Sequence, residues 1–181
     1  MPNWCANRVT AWSDNEEAIK EFKEAVSKEF NGTDKDGPWS RVQPFSFEAI
    51  LPMPEELRKV QSPVTIMTED DIEEYKKKRS AYMGDGSLPI TQETSDRLDE
   101  LYGDNNWYDW SNNNWGVKWD CSNVQVTEEF GDTEIVYTFD TPWGPPSEIY
   151  TLLVAKFPEV HMSWFWDEPG CEQAGYLSAR Y

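Results

Sequence analysis

The sequence has a single histidine, and it has no glycine-rich phosphate loop, no Gly-x-Ser-x-Gly elbow and no His-Glu-x-x-His pair. Each of those chemistries needs particular residue types at a fixed spacing, so their absence argues against nucleotide, acyl-transfer and zinc-peptidase reactions. His161 stands at the opposite parity to Val160, Met162 and Trp164. With no motif around it, a surface or sheet-packed role fits it better than a general base. No apolar run approaches the ~20 residues of a membrane helix. Met1-Pro2-Asn3-Trp4-Cys5-Ala6-Asn7 has neither a basic head nor an apolar stretch, so no secretory signal is expected.

Cysteine is scarce as well. Cys5, Cys121 and Cys171 are odd in number and scattered, which argues against a disulfide framework and for a reducing cytoplasm. Together with His161 they are numerically enough for a tetrahedral zinc site, but no two form a Cys-x-x-Cys knuckle. Buried thiols are therefore expected, with no metal and no cofactor. Asp34-Lys35-Asp36-Gly37 hints at an EF-hand loop. Setting Gly37 at the sixth position puts Gly32 first and Gln43 twelfth, where carboxylates are required, so that reading fails.

Positive charge is the last shortage. Lys and Arg number 16 against 34 Asp and Glu, a net of −18. Residues 1–79 hold 12 basic and 16 acidic side chains, whereas residues 80–181 hold only Arg97, Lys118, Lys156 and Arg180 against 18 acids. Direct binding to nucleic acid or to an anionic membrane needs clustered cations and is disfavoured. A basic protein surface is the favoured partner.

What the chain does have is aromatic bulk: 14% of its 181 residues, including 10 Trp, enough to build one core. Asn7–Trp12 reads as a strand. Ser13-Asp14-Asn15-Glu16 has capping-box form, and Ala18, Ile19, Phe22, Val26 and Phe30 then recur at helical spacing up to Asn31-Gly32. A helix over 13–30 is expected. Phe45–Leu51 reads as a strand. The spacing then predicts helices over Thr68–Tyr82 and Thr91–Tyr102, within a polar insertion at about 59–116. Val117–Thr127 and Glu134–Asp140 follow as strands. Val124 and Val126 break the parity of Val117, Trp119 and Cys121, so a bulge is expected near Ser122-Asn123. A helix over Ser147–Phe157 and strands over Val160–Trp166 and Ala174–Ala179 complete the order. The expected fold is α+β: one ferredoxin-like domain over 1–181, a split βαβ antiparallel sheet with a helical insertion and an extra edge strand. Trp4, Trp107, Trp119 and Trp164 are expected in its core.

Several blocks form a recognisable set. They are Met1-Pro2-Asn3-Trp4-Cys5-Ala6-Asn7, Phe45-Ser46-Phe47-Glu48 with Pro52-Met53-Pro54, Asn106-Trp107-Tyr108-Asp109-Trp110 with Trp115-Gly116-Val117-Lys118-Trp119-Asp120, and Phe139-Asp140-Thr141-Pro142-Trp143 with Pro145-Pro146. In this order they resemble the YubB-like family of phage and plasmid proteins, which has a ferredoxin-like domain. The resemblance implies a gene carried by a mobile element and the cytoplasm of a bacterial host. The charged insertion departs from that family pattern.

The candidate binding residues are the carboxylates Asp96, Asp99, Glu100 and Asp104, then Glu128, Glu129, Asp132 and Glu134. Carboxylates at i,i+3 and i,i+4 stand ~5–6 Å apart on a helix and several rows can imitate a phosphate strand. With the genetic setting, this leads to a non-enzymatic inhibitor of a host nucleic-acid-binding defence complex, of CRISPR or restriction type, acting through an exposed acidic face. The alternative is an accessory protein- or carbohydrate-binding module that uses an exposed Trp patch without mimicry.

Overall fold

Alternate residues of the first strand are buried, and pairing on both edges places it at the centre of a sheet. In the computed structural model, which describes residues 3–80 and 87–178, β1 (Trp4–Trp12) buries Cys5, Asn7, Val9 and Ala11, exposes Ala6 and Arg8 and leaves Thr10 half-buried. It pairs antiparallel with β5 (Glu134–Pro142) on one side and β6 (His161–Glu168) on the other. β4 (Ser122–Phe130) adds outside β5, and β7 (Gln173–Tyr176) adds outside β6, giving the order β4-β5-β1-β6-β7. Without β7 this is the ferredoxin-like order, and β7 is the extra edge strand. The final residue of the expected last strand, Ala179, lies outside the described residues.

Two helices cover one face of this sheet. Glu16–Val26 (α1) buries Ile19, Phe22 and Val26, and Ser147–Lys156 (α7) buries Ile149, Tyr150 and Leu153. Phe22 meets Tyr137 at 6.5 Å between ring centroids, and Tyr150 meets Trp164 at 5.8 Å. Burying each such side chain contributes roughly 1.5–3 kcal/mol. Trp164 is fully buried, and its indole N–H donates to Asn7 Oδ1 at 3.0 Å. Asn7 Nδ2 donates in turn to Thr141 Oγ1 at 2.8 Å, so a satisfied polar link ties three strands together.

Several elements differ from the expectation. α1 is capped two residues later than expected, at Asn15: Ser13 Oγ accepts from the Asn15 N–H, and Asn15 Oδ1 accepts from the Glu17 N–H. It ends at Val26 because Lys28–Asp34 (β2) and Gly37–Gln43 (β3) form a separate two-stranded ribbon. Phe30 is therefore a strand residue, and Asn31-Gly32 lies mid-strand. The ribbon turns at the sequence tested above as an EF-hand, where Asp34 Oδ1 accepts from the Asp36 N–H and Gly37 takes φ +118°. Phe45–Leu51 is not a strand. Phe47–Ile50 is a short helix (α2) whose first amides are held from a distance by Asp120: the Phe47 N–H donates to Asp120 Oδ1 at 2.7 Å and Ser46 Oγ to Asp120 Oδ2 at 2.6 Å. Residues 117–121, expected to open the next strand, precede β4 and are not part of it.

The chain falls into two compact units, 1–52 with 114–181, and 53–113. The second contains Glu55–Arg58 (α3), Glu69–Ser80 (α4), Gln92–Tyr102 (α5) and most of Trp107–Asn114 (α6). Thr91 caps α5 by accepting from the Thr94 N–H, and left-handed Gly103 ends it. Tyr82 of the expected helix lies outside the described residues. Among those residues, no helix is long and apolar enough to cross a membrane.

Candidate functional site

Side chains of a strand alternate between faces, so α1 and α7 leave the other face of the five-stranded sheet to the remaining parity. That open face carries Trp4, Ala6, Arg8 and Trp12 from β1, and all four are exposed. Residues directly opposite in antiparallel pairs point the same way. Trp12 lies opposite Glu134 and His161, Arg8 opposite Thr138 and Phe165, and Ala6 opposite Asp140 and Asp167. Phe130 joins them opposite Glu134, and Tyr176 opposite Phe165. Five aromatic side chains on this face are exposed: Trp4, Trp12, Phe130, Phe165 and Tyr176. Trp12 stacks at a tilt on His161 at 5.6 Å, and Phe165 meets Tyr176 edge-on at 5.3 Å.

A shallow groove of about 400 Å³ crosses the middle of this face. Its floor is the Ala6 methyl group, with Asp140 on one side and Asp167 on the other. With strands ~4.8 Å apart, the Cα atoms of those two aspartates stand about 10 Å from one another. Arg8, Thr138 and Phe165 form the next level, and Gln125 and Asn123 close the β4 side. The guanidinium of Arg8 donates to Glu128 at 3.1 Å. Asn123 owes its place to the bulge expected from sequence: the register shifts between Ser122 and Gln125, and Asn123 takes φ +53°. Its amide donates to Asp140 Oδ2 at 2.7 Å, which fixes the rotation of that carboxylate. The groove thus combines hydrogen-bonding amides, two carboxylates of which Asp140 is held in place, and an aromatic wall, an arrangement suited to binding.

The sequence-derived carboxylates are dispersed. Asp96, Asp99 and Glu100 are exposed on α5, as expected for one helix row. Asp104 is buried: its Oδ1 accepts from Asn113 Nδ2 at 2.8 Å, and burial pushes its carboxyl pKa up, helped by the charges of Asp109 and Asp99. Expecting it on the exposed row is corrected here, because Gly103 turns the chain before it. In the other unit, Glu128 and Glu129 point to opposite faces of the sheet. Glu128 pairs with Arg8 on the open face, whereas Glu129 pairs with Lys23 of α1. The four hairpin carboxylates therefore do not share a face, and two of them are partly neutralised. Asp132 lies exposed in the turn, and Glu134 is half-buried on the open face.

Two of the expected core tryptophans are corrected as well: Trp4 is 45% and Trp119 41% exposed, the latter beneath the Lys118 ammonium at 4.5 Å. Trp107 is half-buried and Trp164 fully buried. The thiols of Cys5 and Cys121 are buried, and desolvation pushes that of Cys5 up to about 11. Cys171 is exposed. Among the described residues, no three His, Cys, Asp or Glu side chains gather as a metal-binding group.

Sequence reasoning missed the groove. The sign was present in Phe165, an aromatic at outward parity between Trp164 and Trp166, and in Arg8, a lone cation in an apolar strand.

Residues 114–180 match the family model described as the ferredoxin-like domain in Api92-like protein. That segment contains β4, β5, α7, β6 and β7, while β1 and α1 precede it. The crystal structure of a protein Api92 from Yersinia pseudotuberculosis is similar over 97% of this chain and 93% of that one, with a TM-score of 0.53 and 12% identity. At that identity the likeness is one of fold. No curated protein matches the chain.

Proposed function

We propose that this chain is a binding protein without catalysis of its own, and that it engages a basic protein surface through the open face of its sheet. The observation that carries this reading is the mixture on that face: exposed Trp12, Phe130, Phe165 and Tyr176 among Asp140, Asp167, Glu128 and Glu134. Exposed aromatic patches mark interaction sites, and aromatic faces attract cations. Carboxylates among them, on a chain of net −18, turn phosphates away. The partner class that fits the YubB-like resemblance is a nucleic-acid-binding defence complex of a bacterial host, of CRISPR or restriction type. Covering its basic surface would inhibit it, and the protein would then act in the host cytoplasm.

A second reading keeps charge mimicry as the device and places it on α5. It is supported by Asp96, Asp99 and Glu100, exposed at i, i+3 and i+4. Two variants decide between the readings. Trp12→Ala with Phe165→Ala should lose capture and inhibition of the host complex, whereas Asp96→Lys with Asp99→Lys and Glu100→Lys should keep them. The reverse pattern moves the binding surface to α5, and loss in neither variant sinks both readings. Capture that persists unchanged in high salt would favour an accessory protein- or carbohydrate-binding module without mimicry.

A further inference from the structure

We infer that the groove over Ala6 selects an arginine side chain of the partner, an inference that rests on the open face being the docking surface. The floor comes first. Ala6 is the smallest side chain on the exposed parity of β1, set between Trp4 and Arg8, so it opens a recess where its neighbours stand proud. The walls come next. Asp140 and Asp167 flank that recess from β5 and β6, and each is half-buried. A guanidinium carries five N–H donors in one plane, pointing along two edges and its end, so it can serve carboxylates on both walls at once. A lysine ammonium is a compact, strongly hydrated charge and would satisfy one wall while leaving the other.

Stacking adds the second preference. Phe165 forms an aromatic wall at the next level, and Tyr176 backs it at 5.3 Å. Planar guanidinium groups stack on such rings. The polar frame is already set: Asn123 holds the Asp140 carboxylate at 2.7 Å, so little ordering remains when a ligand arrives. Arg8, the cation already in the groove, is paired with Glu128 at 3.1 Å. A neutral saccharide would use the same amides and the same ring, but it would leave the two aspartate charges unanswered. Charge complementarity therefore favours the cation.

The test uses the full chain with fluorescent peptides of equal length and charge, one arginine-rich and one lysine-rich, read by anisotropy. The arginine peptide should bind at least about tenfold more tightly, as expected for bidentate over point-charge recognition. Asp140→Asn with Asp167→Asn should erase that difference. Ala6→Leu should fill the recess and weaken the arginine peptide about tenfold without lowering the unfolding midpoint, because the Ala6 side chain is exposed. Equal affinity for both peptides, or indifference to Ala6→Leu, overturns the arginine assignment; the basic-partner reading would still stand if Trp12 and Phe165 are needed for capture. Binding of neither peptide overturns the assignment, as does competition by a neutral oligosaccharide in place of free arginine.

Discussion

Asp104 is the carboxylate between residues 96 and 104 that turns inward, and its chemistry follows from that. Burial first, then the nearby charges of Asp109 and Asp99, favour its protonated form in the folded state. Between the ordinary aspartate value and the raised one, the folded chain binds more protons than the unfolded chain. Stability therefore falls as pH rises through that window and stays lower above it. Asp104→Asn keeps an oxygen to accept from Asn113 and removes the charge. The variant should melt higher than the parent at pH 7, with the difference shrinking below about pH 3, where both side chains are neutral. An equal difference at both pH values would assign the effect to packing instead of charge. Nothing in the sequence distinguished Asp104 from Asp96 or Asp99. The helix end at Gly103 was readable, but the direction taken by the chain after it was not.

At the scale of elements, legibility tracked how locally each one is determined. α5 was readable because its caps and apolar spacing lie within a dozen residues, α7 because its apolar spacing does, and β5 and β6 because their alternation is unbroken. α2 was not. Its capping carboxylate, Asp120, arrives from more than seventy residues away, so Phe45–Leu51 shows only Phe45 and Phe47 alternating with Ser46 and Glu48, a pattern that suits a strand equally well. The β2–β3 ribbon was overlooked although Asp36-Gly37 is a hairpin signal, because Phe30 happens to extend the helical spacing of α1. The β4 bulge lies where a parity break against residues 117–121 suggested it, although those residues are not in the strand; its consequence, an asparagine aimed into a groove, needed the neighbouring strand. Asn123 allows a test of that element. Asn123→Gly loses the bond to Asp140 but tolerates φ +53°, whereas Asn123→Ala loses the bond and also meets the left-handed penalty. Urea unfolding should place the alanine variant about 1 kcal/mol below the glycine variant. Equal stabilities would mean that the bulge relaxes.

For the whole molecule, charge and topology act separately. A net charge of −18 destabilises the compact state by self-repulsion, and salt screens it. Surface ion pairs such as Arg8–Glu128 and Arg97–Glu56 are weakened by the same salt, but each contributes little. The urea midpoint should therefore rise between about 20 mM and 300 mM NaCl. A fall would mean that the pairs outweigh the repulsion. Topology bears on synthesis. β1 sits between β5 and β6, so the first strand of this sheet to be made lacks its neighbours in the sheet until residues 134–168 exist. At ordinary rates of translation that interval is on the order of ten seconds. Throughout it, Val9, Ala11 and two flanking tryptophans wait with both backbone edges unpaired, while the helices between them leave the ribosome. The earliest strand of this sheet is thus among the last to be satisfied, and until then its two open edges are free to meet copies of themselves on neighbouring ribosomes.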